Sequence, residues 1–322
     1  MPGRRTIGVD MGGSKLLAGA VDAELSVHHR SQRTLVGLDQ AAVLDAAVEA
    51  VAEVREASKE DVSAVGFGIP SLIDQRTGRS VISVHLPLED VQFGDLMAER
   101  LGLPVFVDND GNLAALGEHR AGAAAGSRNA VVLTIGTGIG GGLILDGQLY
   151  RGAVGAAGEL GHMVIDYQGQ PCHGGCPNRG CAEVLASGTA LAREAVRLAA
   201  ERPESGLAAA AEEGYALAGP LVTELAHDGD AAALEALELI GSRLGVAIAN
   251  LVNVFNPQVV VVGGGVMAAG ELLLEPARAV VAERALRPSR DEVRIVAAEL
   301  GIEAGMVGAA ALAFDGLREP AS

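Results

Sequence analysis

RTIGVDMGGSKLLAGAVD, residues 5–22, reads as two short apolar strands joined by a glycine turn. RTIGVD (5–10) is a buried strand, Met11 to Lys15 (MGGSK) make the turn, and LLAGAVD is the second strand. A strand running into a Gly-Gly-Ser turn aims backbone N–H groups at one point, which is how chains hold phosphate oxygens. Asp10 at the strand end is placed to face a metal ion, and Lys15 to neutralise charge. The GxxxxGK[ST] spacing of a Walker loop is absent. Taken alone, such a turn is as often a plain hairpin as a phosphate site.

Working outward, residues 39–58 carry Ala42, Leu44, Ala47, Val48, Val51 and Val54 at helical spacing with charges between, which predicts an amphipathic helix. VSAVGFGIPSLID (62–74) follows as a buried strand ending in the Gly-Ile-Pro-Ser turn at 68–71, and PVFVDN (104–109) repeats the arrangement. Strands alternating with helices imply a sheet with parallel portions, in which ligands gather at the carboxyl ends of the strands. Asp10, Ser71 and Asp110 are expected at such ends. Asp108, Asn109 and Asp110 open a helix, GNLAALGEHRAG. Helix capping accounts for one of the three. Asp110, beside the amide of Asn109, has the character of a general base for a substrate hydroxyl.

Residues 129–145, NAVVLTIGTGIGGGLIL, give two more apolar β runs joined by Gly-Thr-Gly-Ile-Gly-Gly-Gly. Five glycines in seven positions exceed what a hairpin needs, so a second phosphate loop is expected, with Thr137 adding a hydroxyl. The next segment continues as strand rather than helix, which excludes a Rossmann unit. The strands at 8–16 and 131–143 read as corresponding parts of two similar halves. Residues 187–249 are Ala-rich and helical, divided by HDGDA at 227–231, with loops at Pro203 and Gly214. NLVNVFNPQVVVVGGGV (250–266) runs from a helix end into an apolar strand and a third glycine cluster. A helix is expected from Arg278 to Arg287, a strand from Val293 to Ala297, and a final small-residue helix from Gly305 to Phe314.

GELGHMVIDYQGQPCHGGCPNRGCAE, residues 158–183, holds all three cysteines, Cys172, Cys176 and Cys181, together with His162. Thiolate and imidazole are the ligands tetrahedral zinc prefers. Glycines at 174, 175 and 180 suit a tight knuckle. Buried apolar cysteines, or a disulfide with one thiol left over, are the alternatives.

The chain has 322 residues, 49% of them hydrophobic and only 2% aromatic, so its core is built from Ala, Val, Leu and Ile. Its length suits two domains. The net charge of −17 argues against nucleic-acid or anionic-membrane partners, which need a basic footprint. No leader pattern opens the chain and no apolar run reaches the roughly 18 residues of a membrane span, so a cytoplasmic protein is expected.

With these motifs in hand, the chain resembles the ROK family of sugar kinases and repressors along essentially its whole length. The matching stretches are VDMGGSK (9–15), DNDGNLAALGE (108–118), TIGTGIGGG (134–142), GELGH (158–162), CPNRGCAE (176–183) and 250–266. The resemblance implies an α/β protein of the actin-like ATPase (hexokinase-type, ribonuclease H-like) fold, with two domains flanking an active-site cleft. Residues 1–118 plus 303–322 are expected as the small domain and 119–302 as the large one, with the zinc knuckle at 162–181.

By that resemblance, Asp10, Gly12, Gly13, Ser14 and Lys15 form the first phosphate site, Thr137 and Gly138 belong to the second, and Gly264 and Gly265 border the nucleoside. Asp110 is the catalytic base. Asn109, Asp110, Glu159, His162 and Glu183 contact sugar, and His162, Cys172, Cys176 and Cys181 bind zinc. Two departures stand out. Cys172 and Cys176 are four apart where the family's CxCGxxGCxE has two, so two residues are inserted and His173 lies among them, a competing ligand. Ser71 and His85 (in VHLPL, 84–88) replace residues of the family's sugar pocket. The implied activity is ATP-dependent phosphorylation of a hexose 6-hydroxyl, glucose first, with Mg²⁺ and structural Zn²⁺. Another hexose (N-acetylmannosamine, N-acetylglucosamine, mannose or fructose), polyphosphate as donor, or a non-catalytic sugar-sensing regulator are the alternatives. A regulator's DNA-binding helices have no room ahead of Asp10. The resemblance suggests a homodimer or homotetramer.

Overall fold

The computed structural model describes residues 4–318 except Val84 and Gly174. The chain begins β1 (Arg4–Met11), β2 (Lys15–Val21), β3 (Val27–Thr34), α1 (Gln40–Ser58), β4 (Asp61–Ile69), β5 (Ser71–Asp74), β6 (Arg79–Ser83), α2 (Phe93–Leu101), β7 (Val105–Asn109) and α3 (Asp110–Ala121). The first sheet has the order β3-β2-β1-β4-β7. β1, β2 and β3 are antiparallel neighbours, whereas β4 runs parallel to β1 and β7 parallel to β4. The apolar run of β1 is buried from Arg5 to Val9, as expected of a strand covered on both faces. β3 (VHHRSQRT) alternates toward solvent as an edge strand. Asp39 caps α1 by accepting from Ala42 N–H at 2.9 Å.

The second half continues β8 (Ala130–Ile135), β9 (Ile139–Leu145), β10 (Gln148–Leu149), α4 (Ala182–Ala186), α5 (Gly188–Glu201), α6 (Gly206–Glu212), α7 (Gly219–His227), α8 (Ala231–Phe255), β11 (Val259–Gly263), α9 (Glu271–Arg284), α10 (Ser289–Glu292), β12 (Arg294–Ala297) and α11 (Ala304–Gly316). Its sheet has the order β10-β9-β8-β11-β12, with β11 parallel to both β8 and β12. This repeats the first sheet's plan, so β1 corresponds to β8, β2 to β9, β4 to β11 and β7 to β12. The expected similarity of the two halves is thus a property of the fold.

Two compact units result. One is Met1–Arg128 with Gly142–Gly158 and Glu299–Ser322, and the other is Asn129–Gly141 with Glu159–Ala298. In the first unit α11 packs on β1, β4 and α3. With so few aromatic side chains, this packing is backbone to backbone: a Cβ on Gly308 would stand 1.8 Å from the Leu113 carbonyl oxygen, and one on Gly8 1.9 Å from that of Met306. The carboxylate of Glu118, fully buried, accepts from the N–H groups of Ala123 (2.8 Å), Glu299 (3.2 Å) and Leu300 (2.9 Å), tying α3 to the lead-in of α11.

Two elements differ from the sequence reading. The strand expected to end in the turn at 68–71 does so, β4 stopping at Ile69 where Pro70 has no N–H to continue the ladder; what the sequence reading lacked is that Ser71–Asp74 form a further strand, β5, which turns off to pair with β6. The helix expected at 278–287 is α9, starting seven residues earlier at Glu271 with Pro276 inside it. Pro276 cancels one early backbone bond and the helix tolerates that loss. Among the described residues, no helix is long and apolar enough to cross a membrane.

Candidate active site

In the first unit the parallel register sets Asp10 opposite Gly68, and Gly68 opposite Asp108, so the ends of β1, β4 and β7 lie side by side. Asp110 begins α3 immediately after β7. Gly68 leaves a bare patch between the two carboxylates, since a Cβ there would lie 3.5 Å from the Asp110 Cα and 3.7 Å from Asp10 Oδ1. The Asp10 carboxyl also faces the start of α11, where a Cβ on Gly305 would be 2.6 Å from its carbon. Burial, with the nearby negative charge of Asp110, pushes Asp10 up to about 7 from the usual carboxylate range. Two carboxylates whose negative charges act on one another are also a place a cation can occupy.

Asn109 caps α3, accepting from Asn112 N–H at 3.2 Å, and donates to the Ser71 carbonyl at 3.4 Å. The Ser71 hydroxyl itself is spent inside the β5–β6 hairpin, donating to the Ile82 carbonyl at 2.7 Å and sitting 2.6 Å from Ser80 Oγ. It therefore braces the support of Asn109. His85 is exposed and stands against the first glycine turn, where a Cβ on Gly13 would be 3.0 Å from its own Cβ. Gly13, Ser14 and Lys15 form the exposed tip of that turn, closed by Gly12 N–H donating to the Lys15 carbonyl at 2.8 Å.

Sequence motifs do not reveal what holds this corner. Asp108 is fully buried and accepts from Arg151 Nε (2.6 Å), Asn112 Nδ2 (2.9 Å), Gln75 Nε2 (3.2 Å) and the N–H of Asn109 (2.8 Å). Arg151 and Gln75 come from segments with no recognisable pattern. The signal that existed was Asp108 itself, a third acidic or amide residue beyond what capping needs.

In the second unit the turn after β8 docks on the start of α5. Gly136 carbonyl accepts from Gly188 N–H at 2.8 Å, and Thr137 carbonyl accepts from the Thr189 hydroxyl at 2.8 Å. A Cβ on Gly138 would meet Glu183 Oε2 at 2.3 Å and displace that carboxylate, whose same oxygen accepts from Ile139 N–H at 2.9 Å. Glu183 is thereby fixed to the edge of the turn. Gly264 has φ +90°, and a Cβ on it would meet the Ile135 carbonyl oxygen at 2.4 Å. Gly265 follows in open space.

His162, Cys172, Cys176 and Cys181 come together with all ligand atoms within 4.8 Å of one another. His162 Nδ1 lies 3.6 Å from Cys172 Sγ, and Cys176 Sγ lies 3.9 Å from Cys181 Sγ. These match the edges of a tetrahedron with Zn–S of about 2.3 Å and Zn–N of about 2.0 Å, which are roughly 3.5–3.8 Å. The group fits zinc. Burial pushes Cys181 up to about 12 and also raises Cys172, whereas the backbone N–H of Asn178 lowers Cys176. Crowded thiols in this state ionise together only around a cation. Gly175 and Gly180 have φ of +79° and +63°, as a knuckle requires, whereas Gly174 lies outside the described residues. His173, in the insertion, groups instead with Cys172 and Glu183. Glu159 is exposed, and its carbonyl accepts from His162 N–H at 3.1 Å.

Two α/β sheets of one plan, each with a glycine turn between its first two strands, define an actin-like ATPase fold. The ROK family profile matches residues 6–315, and the chain belongs to the ROK family. It is 37% identical over 317 residues to the glucokinase of Halalkalibacterium halodurans, covering 96% of this chain and 94% of that one. The glucokinase of Streptomyces coelicolor is 35% identical over 325 residues, covering 98% of each. The crystal structure of a ROK family glucokinase from Streptomyces griseus, in complex with glucose and AMPPNP, superposes with a TM-score of 0.87 at 36% identity, covering 97% of this chain and 100% of that one.

Proposed function

We propose that the protein is an ATP-dependent glucokinase, transferring the γ-phosphoryl group of ATP to the 6-hydroxyl of glucose. Asp110 at the start of α3, beside the half-buried Asp10, carries this reading, in a chain similar to glucokinases from end to end. Asp110 accepts the hydroxyl proton as the sugar oxygen attacks the γ-phosphorus, the bond to the β-phosphate oxygen breaks, and ADP leaves. Asp10 holds the Mg²⁺ that, when bound, neutralises developing phosphate charge. The turns at 12–15 and 136–138 offer backbone N–H groups to the phosphates, Lys15 adds a positive charge, and Gly264 and Gly265 leave room for the nucleoside. Asn109, Glu159, His162 and Glu183 orient the sugar. His85, and Ser71 through Asn109, shape the rest of its pocket. The knuckle residues His162, Cys172, Cys176 and Cys181 hold structural Zn²⁺, and with Nδ1 of His162 on the thiol side its Nε2 is left for the sugar. The assembly is a homodimer or homotetramer in the cytoplasm.

A coupled ADP-release assay over glucose, mannose, fructose, N-acetylglucosamine and N-acetylmannosamine is expected to give the highest kcat/KM for glucose. A positioned general base contributes about 10²–10⁴-fold. Asp110→Asn is therefore expected to lose at least about 10²-fold in kcat while glucose binding, read by titration calorimetry, persists. Turnover near that of the wild type in this variant overturns the assignment of the base.

A further inference from the structure

We propose that His173, carried by the two-residue insertion between Cys172 and Cys176, is a positioning residue for Glu183 and so sets the affinity for sugar. The inference rests on the reading of Glu183 as a sugar-contacting carboxylate. The two oxygens of Glu183 have different neighbours. Oε2 is fixed by Ile139 N–H at 2.9 Å and sits against Gly138. Oε1 faces His173 Nδ1 at 3.5 Å. Glu183 is largely covered, with 17% of its side chain exposed, whereas His173 is half-exposed at 52%. The imidazole therefore covers the second oxygen from the solvent side, leaving the carboxylate little freedom to turn.

The sequence position makes His173 distinctive. It belongs to the residues that lengthen the knuckle beyond CxCGxxGCxE. Its neighbours in the fold are Cys172 and Glu183, whereas His162, Cys176 and Cys181 gather round Cys172. The added length thus leaves the thiol cluster intact and brings an imidazole nitrogen to 3.5 Å from a carboxylate of the candidate site. A side chain already held in its working rotamer loses less conformational freedom when it accepts a sugar hydroxyl. An ordered acceptor strengthens ground-state and transition-state binding alike, so the effect belongs in KM rather than kcat.

The test compares the full-length zinc-bound wild type with His173→Ala, His173→Gln, Glu183→Gln and the double variant His173→Ala/Glu183→Gln. Glucose and ATP kinetics are measured by coupled ADP release, and zinc by metal analysis. His173→Ala is expected to raise the glucose KM about tenfold, equivalent to about 1.4 kcal/mol, with kcat within about twofold, the ATP KM unchanged and one zinc retained. His173→Gln, whose amide also donates, is expected to restore most of the affinity. In the Glu183→Gln background, His173→Ala is expected to add little. An unchanged glucose KM in His173→Ala, a matching rise in the ATP KM, loss of zinc, or a full tenfold effect persisting without the Glu183 carboxylate each overturns the proposal. If the wild type prefers another hexose, the glucose assignment fails while the same comparison on that hexose decides the role of His173. A wild type that phosphorylates no hexose overturns both.

Discussion

Arg151 is expected to be worth far more than a surface arginine, because its partner has nowhere else to go. Asp108 is fully buried, and Arg151 Nε, 2.6 Å away with 30% of its side chain exposed, is the cation that compensates it. Removing one member of a buried pair typically costs about 3–5 kcal/mol. Three neutral donors remain on Asp108, from Asn109, Asn112 and Gln75, and Arg151 is partly exposed, so the cost falls to the bottom of that range or below it. Arg151→Ala is expected to cost about 2–3 kcal/mol, and Asp108→Asn about 1–2 kcal/mol, since the arginine it releases can hydrate. The double variant is expected to fall short of the sum by at least about 1 kcal/mol, because the stranded charge is gone. Urea unfolding midpoints at constant m-value read all three changes. The same variants report on activity, because Asp108 is followed directly by Asn109 and Asp110. A displacement of about 1 Å at such a site can cost about 10²-fold, and Arg151→Ala is expected to lose about tenfold in kcat. Additivity within about 0.3–0.5 kcal/mol, or a cost below about 0.5 kcal/mol for Arg151→Ala, refutes the reasoning.

Cys176→Ser is expected to lower zinc content and raise the glucose KM at least about tenfold, with the circular dichroism of the remaining fold retained. Full zinc and normal KM in that variant count against the knuckle. Asp10 gives a pH prediction whose sign follows from its raised value. Between its ordinary 3.8 and about 7, the native state keeps a proton that the unfolded chain has released, so stability falls as pH rises through that window and stays lower above it. The full shift corresponds to about 4 kcal/mol, and partial access of the carboxylate to solvent reduces this to about 1–2 kcal/mol. Asp10→Asn cannot ionise. In metal-free buffer it is expected to flatten that slope and exceed the wild type in stability at pH 8, while losing kinase activity; unchanged pH dependence of the unfolding midpoint contradicts this.

How far the sequence could be read depends on what each segment is made of. Continuous apolar runs, such as 259–262 and the strand within 5–10, announce buried parallel strands whatever surrounds them. The helix at 39–58 declares itself by period and by its Asp39 cap. β3 carries no such mark, because VHHRSQRT is an edge strand whose polar residues face water and whose pairing with β2 is a backbone matter. α2 is short, at nine residues, and its N-terminus has no side-chain cap. At the candidate site, type and spacing single out Asp10, the 108–110 cluster, the glycine turns and the knuckle, whose four residues the fold brings together. Residues recruited only by tertiary packing were not legible. Arg151 and Gln75 reach Asp108 from elements that no motif ties to it, and the Ser71 hydroxyl turns inward because β5 folds into a hairpin with β6.

The duplicated sheets give the two glycine turns equivalent places, but their surroundings have diverged. The turn between β1 and β2 is exposed at its tip and carries Lys15, with His85 beside Gly13. The turn between β8 and β9 is held by Gly188 and Thr189 from below and by Glu183 at its edge, where Gly138 yields the space a side chain would take. Glu183 is two residues past Cys181 in the first turn of α4, so anchoring the buried thiol also anchors the carboxylate. The knuckle is therefore more than a staple on a loop. Through one short helix it fixes the position of a carboxylate against a glycine turn, and the inserted His173 addresses the oxygen that the turn leaves uncovered.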